Sequence, residues 1–227
     1  MSPPPIAKVD VRLIVIADAG VVPRSRLAAM ALQAAEGGAT LIQYRDKSPD
    51  PALLASTARE IGRALAGSPV PLLINDHVEV ASGVGADGVH LGQEDMDPRR
   101  ARERLGPDAI LGRTIKTIGH ASALAGEPVD YACIGGVFAT SSKVNPDPPI
   151  GLAGLSRLLR EIRRLAPHLP VGAIAGITAA NAAEVIGAGA DGIAVVSAVI
   201  AAADPRAAAC ELRTIVEAAR LCEEAGR

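Results

Sequence analysis

A chain of 227 residues is near the size at which one α/β barrel is complete, and it is long enough to bury a large core. Apolar residues make up 49% but aromatic ones only 1%, so the core must be built from Ala, Val, Ile and Leu, and base stacking on aromatic platforms is excluded as a binding mode. The net charge of −2 leaves no electrostatic footprint for nucleic acid or an anionic membrane, and neither is expected as a partner.

In chain order, residues 1–11 read as an N-terminal extension. Met1-Ser2-Pro3-Pro4-Pro5 is stiff and lacks the basic and apolar regions of a signal peptide. Arg12 to Asp18 reads as a strand and Arg24 to Glu36 as a helix ended by Gly37-Gly38. Thr40 to Asp46 is a second strand, and a helix from Asp50 to Ala66 follows with Pro51 in its first turn. The third strand, Pro71 to Asp76, leads to a short helix ending by Gly85. Gly88 to Leu91 and the helix Pro98 to Leu105 come next, then Ala109 to Ile115 with a weak helix near His120 to Ala125. Tyr131 to Gly136 pairs with the helix Leu155 to Leu165, and Val171 to Gly176 with Asn181 to Gly187. The eighth strand, Gly192 to Val199, is followed by a helix from Pro205 to Cys222, with residues 223–227 as a tail.

Eight strand–helix units with near-continuous apolar strands predict an α/β fold, a single (β/α)₈ TIM barrel spanning residues 12–222. A doubly wound sheet uses the same elements, but the count and regularity favour closure. No uncharged apolar run reaches bilayer-spanning length. Three cysteines, Cys133, Cys210 and Cys222, form no CxxC pair, and Cys133 reads as a small buried hydrophobe. A cytoplasmic protein is expected.

Barrel chemistry sits at the C-terminal ends of the strands. The second strand ends in Gln43, Arg45 and Lys47, which alternation puts on one side, with Tyr44 and Asp46 on the other. Two cations and an amide aimed at one place suit a diphosphate. Asn75-Asp76 ends the third strand, and Asp95 follows the fourth. Adjacent strands lie about 4.8 Å apart, so Asp76 and Asp95 can approach at the rim and hold Mg²⁺ together with substrate phosphate oxygens. Asp97, before Pro98, reads instead as a helix cap. The long loop from Val137 to Gly151 carries Thr140, Ser142 and Lys143, fit to close over a phosphate. Gly176 after strand seven and Val196-Ser197 at strand eight stand where these barrels commonly bind phosphate. His77, His90 and His120 have no metal-ligand spacing and read as structural. The rim so read offers two anion sites, for an enzyme that joins or isomerises phosphorylated small molecules.

The ordered set Gln43-Tyr44-Arg45-Asp46-Lys47, Ile74-Asn75-Asp76, Ala86-Asp87-Gly88-Val89-His90-Leu91-Gly92-Gln93-Glu94-Asp95, Asp130-Tyr131, Thr140-Ser141-Ser142-Lys143, Ala175-Gly176-Ile177 and Gly189-Ala190-Asp191-Gly192 resembles the thiamine phosphate synthase family. The resemblance implies that Gln43, Tyr44, Arg45, Asp46, Lys47, Asn75, Thr114 and Lys143 bind hydroxymethylpyrimidine diphosphate, with Arg45, Lys47 and Lys143 catalytic. It also implies Mg²⁺ on Asp76 and Asp95, and thiazole phosphate on Thr140, Ser141, Ser142, Gly176, Val196 and Ser197. In that family diphosphate departs first and the thiazole nitrogen captures the pyrimidine carbocation. A homodimer is implied by analogy. Departures fall where the family has Gly-x-Ser-x-His and this chain has Thr114 and Lys116, and where Ala175 stands in a Gly-Gly turn. Two alternatives are a thiazole tautomerase, which would rely on the missing strand-five His, and a non-catalytic barrel that binds a thiamine precursor.

Overall fold

Short runs of Val, Ile, Leu and Ala between glycines and prolines become strands because aliphatic side chains fit a pleated surface covered on both faces. The computed structural model describes residues 9–140 and 147–225. Within them β1 (Leu13–Asp18), β2 (Leu41–Arg45), β3 (Leu72–Asn75), β4 (Gly88–Leu91), β5 (Ile110–Ile115), β6 (Tyr131–Ile134), β7 (Val171–Ile174) and β8 (Gly192–Val195) lie parallel in chain order and close into a barrel. The closing pair sets Leu13, Ile14 and Val15 opposite Ile193, Ala194 and Val195. The expected (β/α)₈ barrel is the fold.

Around the sheet run α1 (Arg24–Glu36), α2 (Pro51–Ala64), α3 (Val78–Val84), α4 (Pro98–Leu105), α5 (Ile118–Ala123), α6 (Gly151–Leu165), α7 (Ala182–Gly187), α8 (Ser197–Ile200) and α9 (Pro205–Ala225). Their starts follow local chemistry. Asp50 accepts from the N–H groups of Ala52 and Leu53 to cap α2, and Asp97 accepts from Arg99 N–H to cap α4. Among the described residues no helix is long and apolar enough to cross a membrane.

Strand alternation divides the core in two. Leu13, Val15 and Ala17 of β1 pack outward with the helices, whereas Ile14 and Ile16 pack inward with Leu41, Leu73, Ile110 and Tyr131. Val9 and Val11, read from sequence as part of an extension, join the inner cluster and are buried. At the N-terminal end, three acids that precede strands act as fasteners. Asp87 accepts from Leu72 N–H at 2.7 Å, Asp130 from Leu111 N–H at 2.8 Å, and Asp191 from Val171 N–H at 2.7 Å. Each ties the start of an even-numbered strand to the strand before it. That explains the recurring Asp before β4, β6 and β8 structurally.

The eighth strand is shorter than its sequence suggests. It stops at Val195, and Ser197–Ile200 coil into α8, with the N–H groups of Val199 and Ile200 bonding back to the Val196 carbonyl. A short apolar run fits a buried strand or a buried helix turn equally well, so its pattern does not separate the two. The helix α6 also starts earlier, at Gly151, and α9 continues to Ala225.

Among the described residues two non-glycine residues have positive φ, Asp76 at 66° and Ala175 at 96°, and both sit at the C-terminal rim just after strands. A Cβ at such angles is strained. Ala175→Gly is therefore expected to stabilise the chain by about 1 kcal/mol, the relief of strain exceeding the added entropy of the unfolded glycine. Urea denaturation checks this, and a loss of stability would contradict the strain reading.

Candidate active site

Because a strand's alternate residues share a face, the polar residues at inward positions converge at one end of the barrel. There they line a cavity of about 130 Å³ that includes Asp18, Gln43, Arg45, Asn75, Thr114 and Thr140. Gln43 donates to the Asn75 side chain at 3.2 Å, linking β2 to β3. Arg45 donates to Asp18 at 2.6 Å, and the other Asp18 oxygen accepts from Gly20 N–H at 2.8 Å. The Arg45 guanidinium is thus held at the cavity wall by a buried counter-ion before any ligand arrives.

One residue beyond Asn75, the chain turns through the positive φ of Asp76. Its carboxylate accepts from Lys47 at 2.6 Å. Asp95 meets it from the loop after β4, where the Gly92 N–H holds its Oδ2 at 2.6 Å. Burial pushes the Asp76 carboxyl upward, but a hydrogen bond shared with Asp95 and the Lys47 ammonium outweigh burial and hold it below the ordinary value. Asp95 is pushed up, first by burial, then by the hydrogen bond and charge of Asp76. Two carboxyls in this relation titrate as a coupled pair, Asp76 losing its proton before Asp95.

The same strand places Tyr44 and Asp46 elsewhere. Both are buried on the helix-facing side, where Tyr44 donates to Asp46 at 2.9 Å and Arg24 forms a two-pronged pair with it at 2.6 and 2.9 Å. Desolvation raises the Asp46 carboxyl, but Arg24, the Ser48 N–H and Tyr44 more than offset it. This knot fixes the turn that presents Lys47. Of the second-strand motif, Gln43 and Arg45 reach the cavity, Lys47 stands on its rim, and Tyr44 and Asp46 support them from behind.

Thr140 lines the cavity, while Ser141, Ser142 and Lys143 lie outside the described residues. The loop's first part is clamped to β7, with Val137 N–H bonded to the Ile174 carbonyl and Phe138 N–H to that of Ala175. Gly176, at φ 65°, runs against it so closely that a Cβ would overlap the Ala139 carbonyl. Val196 reaches the cavity and Ser197 opens α8 beside it.

Sequence reasoning passed over three inward residues. His90, treated as structural, lines the cavity with Tyr131, and Lys116 extends over Gly135 at its edge. Applying to β4 and β5 the alternation used on β2 would have found His90, Thr114 and Lys116 together. Cys133 is buried among them, and burial pushes its thiol up to about 12, so it is unreactive. A wider groove of about 860 Å³ opens at the opposite end, but its charged walls are already paired, Arg12 with Asp10 and Arg163 with Asp191. That end of a barrel serves stability, so the smaller cavity is the site.

The thiamine monophosphate synthase family model matches residues 13–199. A thiamine-phosphate synthase of Agrobacterium fabrum is 49% identical over 212 residues, covering 93% of this chain and 96% of its own. One from Chloroflexus aurantiacus is 43% identical, covering 92% and 94%. The solved thiamine phosphate pyrophosphorylase from Pyrococcus furiosus superposes with a TM-score of 0.79 at 36% identity, covering 93% of this chain and 98% of that one. With its barrel, its rim carboxylates and these relatives in view, the chain belongs to the thiamine monophosphate synthase family.

Proposed function

We propose that the chain is a thiamine-phosphate synthase that joins hydroxymethylpyrimidine diphosphate to a (carboxy)methylthiazole-ethyl phosphate. The observation that carries the reading is the Asp76–Asp95 pair, set between Lys47 and the cavity wall that holds Arg45. A tautomerase has no use for a diphosphate site, and the strand-five position is Lys116 rather than His.

Two carboxyls pressed together, the charge of Asp76 holding the Asp95 carboxyl up, suit a divalent cation, which would remove their repulsion. Among the described residues no group of three or more His, Cys, Asp or Glu could hold a metal. That donor set fits Mg²⁺, which binds through one or two carboxylates and completes its octahedron with waters and phosphate oxygens. Asp76 and Asp95 would hold the ion, and its charge would stabilise the departing diphosphate.

The chain's own groups do the rest. Arg45, Lys47 and Lys143 neutralise the diphosphate oxygens as the carbon–oxygen bond breaks and its electron pair leaves with diphosphate. Gln43, Asn75 and Thr114 hold the pyrimidine ring. Thr140, Ser141, Ser142, Gly176, Val196 and Ser197 seat the thiazole phosphate so that its ring nitrogen supplies the electron pair of the new carbon–nitrogen bond. No protein nucleophile or general base is needed. Cytoplasmic location and a homodimer belong to the same proposal, and analytical ultracentrifugation measures the second.

The direct test follows thiamine phosphate and diphosphate together in the presence of both precursors and Mg²⁺. Equal amounts of both products are expected. Bound precursors without either product would favour the non-catalytic barrel. Asp76→Ala and Asp95→Ala are each expected to lower kcat by about 100-fold or more; near-normal turnover in either removes the metal assignment.

Stability gives an independent reading. A carboxyl raised in the folded state, as Asp95 is, favours folding below its ordinary value of about 4 and opposes it as pH rises through the raised value. Asp76, lowered, contributes stability above that ordinary value and loses it as pH falls. In chelator at neutral pH, Asp95→Asn should therefore melt higher than the parent, by roughly 2–4 °C per kcal/mol of relieved repulsion. The gain should fade toward about pH 4. Added Mg²⁺ should stabilise the parent and not the variant, as calorimetry would record.

A further inference from the structure

Beneath the rim, three inward residues of β4, β5 and β6 form a chain of hydrogen bonds, of which the proposed reaction uses Thr114 alone. The Tyr131 hydroxyl lies 2.8 Å from His90 Nδ1, and His90 Nε2 lies 2.8 Å from the Thr114 hydroxyl. The His90 and Tyr131 rings tilt at 40° with centroids 5.4 Å apart. They meet in space left by Gly112, whose strand position lies between theirs and where a Cβ would overlap both.

The direction of this chain follows from its buried end. Tyr131 is fully buried, and among the described residues its hydroxyl has one hydrogen-bond partner, His90 Nδ1. If Nδ1 carried a proton, the Tyr131 hydroxyl would accept it and its own hydrogen would be left without an acceptor inside the core. Tyr131 therefore donates to Nδ1, and the ring is the neutral Nε2–H tautomer. Nε2–H in turn donates to Thr114, whose oxygen is thereby used as an acceptor. The Thr114 hydrogen is left to point into the cavity that Thr114 lines.

We infer that His90, with its tautomer fixed by Tyr131, is a positioning residue that makes Thr114 a hydrogen-bond donor to an acceptor atom of the ligand ring. Resting on the proposed synthase reading, that acceptor is one of the two ring nitrogens of the pyrimidine. Cations and carboxylates at the rim recognise any diphosphate, whereas this relay asks for a heteroatom at one place in the ring. It acts as a filter for the organic part of the substrate.

Imidazole ¹⁵N NMR of the full, ligand-free chain tests the relay. Replacing His77, His120 and His168 one at a time assigns three of the four histidines and leaves the fourth signal to His90. A protonated Nε2 with a bare Nδ1 is expected; a protonated Nδ1, alone or with Nε2, overturns the inference. Tyr131→Phe should convert the single tautomer into a mixture, and an unchanged pattern would remove Tyr131 from the relay.

Binding supplies the second measurement, with analogues of the pyrimidine diphosphate in which each ring nitrogen is replaced in turn by C–H. The parent and Thr114→Ser should each bind one analogue about tenfold more weakly than the full pyrimidine. Thr114→Val should bind the full pyrimidine about tenfold more weakly and not distinguish that analogue from it. Equal discrimination by Thr114→Val and the parent overturns the donor role. Should the full pyrimidine diphosphate itself not bind, the synthase reading falls while the NMR result still decides the relay.

Discussion

Closure of the barrel is the constraint from which the site follows. Once β1 pairs with β8, each strand has a neighbour on both edges and the inward or outward sense of every strand residue is set around the ring. Gln43 stands opposite Ile16 and Leu73, Asn75 opposite His90, and His90 opposite Gly112. The inward polar residues of six strands, β1 to β6, are therefore delivered to one cavity by register. A one-residue slip of β2 would exchange Gln43 and Arg45 for Tyr44 and Asp46 and empty the cavity wall of its cation.

The rim adds a second level of order, in which charges are paired before a ligand arrives. Arg45 leans on buried Asp18, Lys47 on Asp76, and Arg24 with Tyr44 on buried Asp46. A cation held by a fixed counter-ion gives up some Coulombic attraction for a phosphate, yet it no longer has to be ordered when the phosphate binds. The Asp76–Asp95 pair is the exception, since two like groups are pressed together beside a single ammonium. Asp18 and Asp46 each have a cation of their own, whereas Asp76 and Asp95 have Lys47 alone between them. The place where the rim's charges do not cancel is the place where a further cation fits.

Much of this was legible in the sequence, for identifiable reasons. Eight apolar runs separated by amphipathic segments specify a barrel, because a parallel sheet covered by helices needs both strand faces apolar. Gln43, Arg45 and Lys47 could be put on one face because strand period is two. What was not legible depended on contacts between distant segments. Asp87, Asp130 and Asp191 look like loop acids until they are seen fastening the N–H groups of neighbouring strands. Ser197 was read as strand because an apolar run of eight residues carries no mark of where it stops being extended. His90 was set aside because a lone histidine lacks metal spacing, and its partners lie 24 and 41 residues away.

The two tyrosines show how an almost wholly aliphatic barrel keeps polar groups oriented. Each is buried, and they face opposite sides of the sheet: Tyr44 outward onto Asp46, Tyr131 inward onto His90. Burial pushes the Tyr44 phenol up to about 12 and that of Tyr131 well above its ordinary value. Both therefore remain hydrogen donors around neutral pH. A serine or threonine hydroxyl rotates to suit its neighbours, and a histidine can place its proton on either nitrogen. A buried phenol that donates to a fixed acceptor reduces that freedom in the group it touches. Tyr44 thereby helps lock the acid that sets the turn before Lys47, and Tyr131 sets the tautomer of His90. In a chain with one Phe and no Trp, each of these rings both fills volume and fixes the direction of a hydrogen bond.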